Sequence, residues 1–212
     1  MNTESAQIAH ALGQIGLYLR NWQWRSDEAE ALTPTQVGVL TALHRHGPAR
    51  VQALAGRLGT RHATMSEVIT ALVRRGFVIK DADPKDARAV RIALTNPGTD
   101  VAAARDQVPP ALSRALDELA EADRAAFKRT LATLIRQLQL AGEIAPQRMC
   151  VTCRFFRPNA HDDPGAPHHC AFVDAPFGDA TLLFDCPDQE DADAADRRDI
   201  WSRFRAGTPP AG

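Results

Sequence analysis

Apolar residues recur every three to four positions in several stretches, which predicts a mainly α-helical fold. A first helix is predicted over residues 5–25, where one stripe holds Ile8, Leu12, Ile15 and Leu19. Thr33-Pro34 is typical of a helix start and predicts a second helix over 35–46. A last helix is predicted over about 122–140, with an apolar face formed by Phe127, Leu131, Leu134, Ile135 and Leu138.

Residues 44–95 place a short helix, a second helix and two strand-like runs in that order. Gly59 ends the short helix, and Thr60 is predicted to cap a second helix over 61–75. Two strands, 77–80 and 89–94, then flank a polar tip. This order predicts a winged helix-turn-helix, with a winged core at about 33–95. Thr95 is expected to cap a further helix that continues through Val108.

The charge of this segment favours nucleic acid as a partner. Residues 44–91 hold ten Lys or Arg and four Asp or Glu. An α-helix fits the major groove of duplex DNA, and a narrow ribbon can reach the adjacent minor groove. The candidate DNA contacts are the polar residues of the second helix and of the ribbon, namely Arg61, His62, Thr64, Ser66, Arg74, Lys85, Arg88 and Arg91. An ordinary surface helix and hairpin with solvated arginines is the alternative.

Four motifs in this order resemble MarR-type transcriptional regulators. They are the helix start at 33–40, the run 63–78, the ribbon tip 83–88 and the segment 94–98. The resemblance covers about residues 5–141. It implies an obligate homodimer that binds a pseudo-palindromic operator, usually as a repressor. It also implies that Arg88 enters the minor groove and that Asp86 orients it, although the two residues could instead form a local ion pair.

The predicted organisation has a winged-helix and dimerisation region at 1–141, a linker at 142–149, a cysteine-rich lobe at 150–205 and a tail at 206–212. The first and last helices of the first region carry more apolar surface than the winged core can cover, which predicts burial across a dimer axis. A helical bundle within one chain is the alternative. Residues 1–148 hold 19 basic and 15 acidic side chains, whereas 149–212 hold 6 and 11. The basic region suits DNA and the acidic region does not.

The acidic region contains all four cysteines, Cys150, Cys153, Cys170 and Cys186. We expect a cytoplasmic protein without a membrane partner, because neither a signal sequence nor a long apolar run is present. Cytoplasmic thiols stay reduced, so the cysteines predict a small irregular lobe that depends on a bound metal. One C-x-x-C followed by two isolated cysteines resembles high-potential iron–sulfur proteins, which implies a [4Fe–4S] cluster. Zn²⁺ and a metal-free thiol switch are the alternatives.

Other residues of the lobe are assigned around these ligands. Five phenylalanines are predicted to form a dry wall for a cluster: Phe155, Phe156, Phe172, Phe177 and Phe184. His168 and His169 could join the metal site, but exposure of both to solvent is the favoured prediction. A short helix carrying Ile200, Trp201 and Phe204 is expected to pack on the lobe or on a partner subunit.

The predicted function is a dimeric regulator, acting as a repressor, whose cysteine centre senses redox state or metal status. The alternative is a regulator that responds to a small aromatic effector, with a purely structural zinc site. An enzyme is not predicted, because the sequence contains no catalytic triad, glycine-rich phosphate loop or carboxylate pair.

Overall fold

The computed structural model describes residues 3–25, 32–83 and 86–207, without the side chains of 23–25, 83 and 86–88. Along these residues the helices are α1 (Thr3–Arg25), α2 (Pro34–His46), α3 (Val51–Arg57), α4 (His62–Arg74), α5 (Asn96–Arg105), α6 (Pro110–Asp117), α7 (Glu121–Leu140) and α8 (Ala194–Ala206). The strands are β1 (Val78–Asp83), β2 (Asp86–Leu94), β3 (Phe156–Arg157), β4 (His168–Cys170) and β5 (Ala175–Phe177). The predicted mainly helical fold is confirmed.

The chain divides into two compact units, Met1–Arg114 and Ala115–Gly212. The sequence predicted a boundary at 141, with α7 in the first region. In the structure α7 belongs to the second unit, because it packs on the cysteine-containing segment. Lys128 Nζ donates a hydrogen bond to the carbonyl of Ala180, and Ala132 of α7 is buried in that unit's core.

The first unit is built around a core formed by α2, α3, α4 and the two-stranded sheet. Its buried residues include Leu40, Leu54, Met65, Ile69, Leu72 and Ile92. Thr33 caps α2 as predicted, in a capping box with Gln36. β1 and β2 pair antiparallel, with Val78 opposite Leu94. Ala49 adds a bridge to Ile92, which fastens the chain before α3 to the ribbon. These elements form a winged helix-turn-helix.

Two predicted helix limits differ from the structure. The N-cap of α4 is Arg61 rather than Thr60, and none of the described side chains caps this helix. Thr95 does cap α5, as predicted, by accepting a hydrogen bond from the N–H of Gly98. However, α5 ends at Arg105 and leaves Val108 outside the helix and exposed. Pro109 explains why Val108 is not helical, since a residue before proline avoids helical geometry.

α1 leaves its apolar stripe in solvent in the single chain. Ile8 is 54% exposed and Ile15 is 44% exposed, and Leu12 is also exposed. A helix with such a stripe is normally buried against another element. The predicted burial of α1 across a dimer axis stays a prediction.

The second unit has its own core, which the sequence analysis did not expect from a short irregular lobe. Met149, Val151, Phe156, Leu182, Ile200 and Phe204 are buried together. The α7 and α8 helices supply part of this core. The cysteine-containing segment therefore packs against two helices and does not depend on its short strands alone. The predicted packing of Ile200 and Phe204 on the lobe is confirmed. Met149 lies in the core although it was assigned to a linker.

Short elements complete the second unit. β3, β4 and β5 form an antiparallel sheet in that order. Asp193 caps α8 by accepting hydrogen bonds from the N–H groups of Ala195 and Asp196.

Within the described ranges, no helix combines the length and apolar character needed to cross a bilayer.

Candidate DNA-binding surface and four-cysteine cavity

The α4 helix buries one face and exposes another. Met65, Ile69 and Leu72 are buried in the core of the first unit. Arg61, His62, Thr64 and Arg74 are exposed, and Ser66 is half-buried. Five of the predicted DNA contacts therefore lie at or near one accessible helix, because the apolar period of the sequence fixes which face turns inward.

The hydroxyl of Ser66 already has a local partner. Its Oγ donates to the carbonyl of His62 at 3.0 Å, one helical turn earlier. Thr70 makes the same kind of bond to the carbonyl of Ser66 at 2.8 Å. Both hydroxyl oxygens keep lone pairs that can accept a hydrogen bond.

On the ribbon, Arg91 forms an ion pair with Asp81 across the two strands. The Nη2 of Arg91 lies 3.2 Å from Asp81 Oδ2, and the two residues face each other in the strand register. The carboxylate offsets the charge of this predicted DNA contact in the free protein. Lys85 and the side chains of Asp86 and Arg88 lie outside the described part of the chain, so their predicted roles stay predictions.

In the second unit, all four cysteines line one cavity of about 290 Å³. Its other walls are mainly apolar and include Phe155, Phe156, Phe172 and Phe177. Four of the five predicted wall residues are therefore at the cavity. Phe184 instead packs against the core of the unit. The sequence spacing of the cysteines does not by itself require this convergence, which the turns between the strands produce.

The cavity suppresses ionisation of the Cys150 thiol. Burial raises the pKa of Cys150 to about 11, and the neighbouring Cys186, Cys153 and Cys170 add to the rise. A hydrogen bond donated by the N–H of Leu183 to the Cys150 sulfur at 3.3 Å lowers this pKa, but by less than burial raises it. A buried thiolate surrounded by other thiols needs a positive charge nearby to be stable.

The four cysteines line the cavity without forming a ready metal site among the described residues. Among the described residues, no group of three or more His, Cys, Asp or Glu side chains could hold a metal ion as arranged. A single Zn²⁺ requires ligand atoms about 2.3 Å from one centre. A four-iron cluster has several metal atoms and needs a larger cavity with a cysteine at each corner.

His168 is fully buried, contrary to the expectation that it faces solvent. Its Nδ1 accepts a hydrogen bond from the N–H of Asn159 at 3.2 Å, and its Nε2 lies 2.9 Å from Asp179 Oδ1. These partners assign the ring proton to Nε2. Both ring nitrogens therefore have protein partners, so His168 is a structural residue beside the cavity rather than a ligand within it. His169 is half-buried.

Asp179 connects His168 to the α7 helix. Arg129 Nη1 lies 3.2 Å from Asp179 Oδ1, while the Arg129 guanidinium lies 4.2 Å from the ring centre of Phe204 and also donates to the Phe204 carbonyl. Burial alone would raise the pKa of the Asp179 carboxyl, but His168 and Arg129 outweigh it and hold that pKa below its usual range. The sequence analysis missed Arg129 and Asp179. Fifty positions separate them, so no local pattern could have paired them.

Comparison with known proteins finds a family similarity within the first unit. The MarR family model matches residues 32–90. A Bacillus subtilis protein named as an uncharacterized HTH-type transcriptional regulator, YkoM, is 34% identical over 36% of this chain and 49% of its own length. A putative transcriptional regulatory protein for the hcr operon of Thauera aromatica is 24% identical over 64% of this chain and 89% of its own. The chain thus spans about half of the first relative.

Solved structures agree on the fold. Streptococcus pneumoniae FabT, solved in complex with DNA, has a TM-score of 0.57 at 14% identity, covering 66% of this chain and 98% of its own. A MarR family protein from Bacillus stearothermophilus has a TM-score of 0.52 at 22% identity, covering 66% and 99%. The two sequence relatives above are both named as transcriptional regulators. Residues 32–90 are therefore similar to the MarR family, and the fold around them is a winged helix-turn-helix.

Proposed function

We propose that the protein is a dimeric, sequence-specific DNA-binding repressor whose four-cysteine cavity holds a metal centre that controls DNA affinity. The observation that carries the DNA-binding part is the exposed polar face of α4, with Arg61 and His62 at its start and Arg74 at its end. Arginine and hydroxyl groups on such a face can donate to base edges and phosphates. The first turn of a helix also attracts phosphate through its free N–H groups.

Dimerisation follows from the exposed stripe of α1. Ile8, Leu12 and Ile15 remain in solvent in the single chain, and their burial against a second copy would remove this apolar surface from water. A two-fold dimer presents two α4 helices to successive half-sites of a pseudo-palindrome, about 34 Å apart. A relative from Bacillus subtilis, MdtR, is named as a repressor, which supports repression over activation.

For the metal centre, the supporting observation is that four thiols face one aromatic cavity. Cys150, Cys153, Cys170 and Cys186 would each ligate one corner of a [4Fe–4S] cluster, which is favoured over Zn²⁺ by the size of the space. Such a cluster supplies one-electron redox chemistry when bound. Its positive iron atoms would also stabilise the thiolate of Cys150, which the cavity otherwise disfavours.

Within the second unit, the contacts of α7 connect this helix to the cavity. Lys128 and Arg129 of α7 bind Ala180 and Asp179, respectively. These two residues lie in the chain between Phe177 and Thr181, both of which line the cavity. A change in the cavity that moves this segment would therefore pull on α7.

The DNA part is tested by titration of a fluorescent duplex recovered by selection from a random-sequence pool. Arg61→Glu and Arg74→Glu should each weaken binding at least about tenfold, and each should flatten the salt dependence by about one unit of slope. Arg114→Glu, the same charge reversal on α6, serves as the matched control. Unchanged affinity in the two α4 variants, with the dimer intact by light scattering, would refute the proposal.

The metal part needs a separate measurement. Protein purified without oxygen should be brown, contain iron and acid-labile sulfide, and lose both in the Cys170→Ala variant. A colourless protein with one zinc would replace the cluster by a structural ion, and a metal-free protein would remove the centre altogether. If cluster removal left the affinity for the selected duplex unchanged, the regulatory role would be wrong while DNA binding would stand.

A further inference from the structure

A chain of three polar side chains lies outside the cysteine cavity, on the segments before and after Cys170. The Nε2 of His161 lies 3.2 Å from Nδ1 of His169. The Nε2 of His169 lies 3.3 Å from Oδ1 of Asp174. His161 is exposed and His169 is half-buried, so the pair can be reached from solvent.

We propose that His161 and His169 form a second metal site, which binds one divalent transition-metal ion through two imidazole nitrogens. Two nitrogens that share a tetrahedral Zn²⁺ at 2.0–2.1 Å lie about 3.3 Å apart. The nitrogens of this pair already lie at that separation. Because no larger group of His, Cys, Asp or Glu in the described chain could hold a metal ion, water completes the coordination.

Asp174 gives His169 the tautomer that a metal ligand requires. A carboxylate next to Nε2 keeps the ring proton on that nitrogen, which leaves the Nδ1 lone pair directed at His161. Histidine ligands commonly have such a carboxylate partner behind them. His161 must give up the proton on Nε2 to bind, and its exposed ring can carry a proton on Nδ1 instead.

The loop backbone holds His161 in place before any ion arrives. Its N–H donates to the carbonyl of Pro167 at 3.0 Å, which closes the loop on itself. Asp163 accepts a hydrogen bond from the N–H of Gly165 at 2.8 Å and stabilises the turn between them. A preformed pair loses less conformational freedom on binding than two free side chains would.

The segment that carries the pair is acidic, although Arg157 lies opposite His169 in the strand register. Residues 161–174 contain three aspartates, Asp162, Asp163 and Asp174, and no Lys or Arg. Imidazole ligands select zinc, copper and nickel over calcium and magnesium, which prefer oxygen. The expected ligand is therefore a borderline transition-metal ion. This site requires neither DNA binding nor the proposed cluster.

The test is a Zn²⁺ titration of the protein. The imidazole resonances in two-dimensional NMR report binding at the histidines, and competition with a chromophoric chelator gives the amount of zinc bound. His161→Gln and His169→Gln should each lose one equivalent of bound zinc. The cysteines are the same in all these proteins, so zinc on thiols cancels in the difference. Asp174→Asn should weaken the site about tenfold. His10→Gln, a change on α1, is the matched control and should bind like the parent.

Two results would overturn the site. One is an equal zinc stoichiometry in His161→Gln and the parent protein. The other is a Zn²⁺ titration in which the resonances of His161 and His169 do not shift. Thermal unfolding of each variant checks that the second unit is intact. Mg²⁺ at the same concentration should leave these resonances unmoved.

Discussion

His168 Nε2 lies 2.9 Å from Asp179 Oδ1, and the ring of His168 has no exposed surface. The second unit thus places an imidazole–carboxylate pair beside a cavity lined by thiols. Arg129 shares the same carboxylate from α7. The pair is therefore the point at which strand β4, the 3-10 turn Asp179–Thr181 and the α7 helix are held together.

The His168→Ala variant should lose about 2–4 kcal/mol of unfolding free energy in the second unit. The substitution leaves a cavity and removes the hydrogen-bond partners of Asp179 and of the Asn159 N–H. Urea unfolding followed by fluorescence measures the loss. His161→Ala, an exposed change in the same unit, should cost less than about 0.5 kcal/mol. Equal effects of the two changes would contradict the assigned role of His168.

The Asp179 carboxylate should make stability dependent on acid pH. Its pKa is held below the ordinary value of 3.8, so its contribution is present above about pH 4 and is lost as the pH falls through the folded-state pKa. The stability difference between the parent and Asp179→Asn should therefore shrink from pH 5 towards pH 2. Urea midpoints at several pH values check this. A difference that stays constant would show that the carboxylate is not the titrating group.

Cys150 should react slowly with iodoacetamide in metal-free protein. Its pKa of about 11, against the ordinary 9.0, lowers the thiolate fraction at pH 8 roughly 100-fold. Peptide mass spectrometry gives the alkylation rate, which should still rise tenfold per pH unit above pH 9. The same peptide in urea is the control and should level off near pH 9. An identical pH profile in folded and unfolded protein would contradict the raised pKa.

Asp81→Asn should strengthen DNA binding, given the proposed function. The change frees Arg91 from its ion pair on the ribbon and should steepen the slope of log affinity against log salt by about 0.9. Anisotropy titrations at several salt concentrations measure the slope. Asp100→Asn on α5 changes the net charge equally and should have a smaller effect. If both variants gain equally, net charge rather than Arg91 accounts for the gain.

Gly98→Ala should destabilise the first unit by about 1–3 kcal/mol or more. A Cβ at this position would lie 1.9 Å from the carbonyl oxygen of Phe77, so the start of α5 would have to move off the sheet. Gly56→Ala is the matched control, because a Cβ there meets nothing within 4 Å. The control should be neutral or slightly stabilising. Thermal unfolding distinguishes the two, and similar melting temperatures would refute the close approach.

The winged helix could be predicted because its signals are local. Thr33 and Thr95 each cap the helix that follows them, and the apolar period of α4 fixes its buried face. The end of α5 was placed too late. The apolar Val108 continues the stripe of α5 in the sequence. Pro109 nevertheless keeps Val108 out of helical geometry.

The second unit was less predictable because distant residues build it. Phe204 joins the core from the end of the described chain, and Ala132 joins it from α7. The burial of His168 depends on Asn159 and Asp179, neither of which forms a motif with it. The cysteine spacing did indicate a shared site, and the four side chains do line one cavity.

The boundary at residue 114 has a practical meaning for separating the two activities proposed here. A truncation that stops at 141 would strip Phe204, Leu182 and Met149 from the inner side of α7, where Ala132 is packed. The apolar face of α7 would then be exposed to solvent, and the fragment would tend to aggregate. A loss of repression in such a fragment would reflect this loss of packing and not the absence of a sensor. Substitutions of the cysteines in the intact protein therefore separate the two activities better.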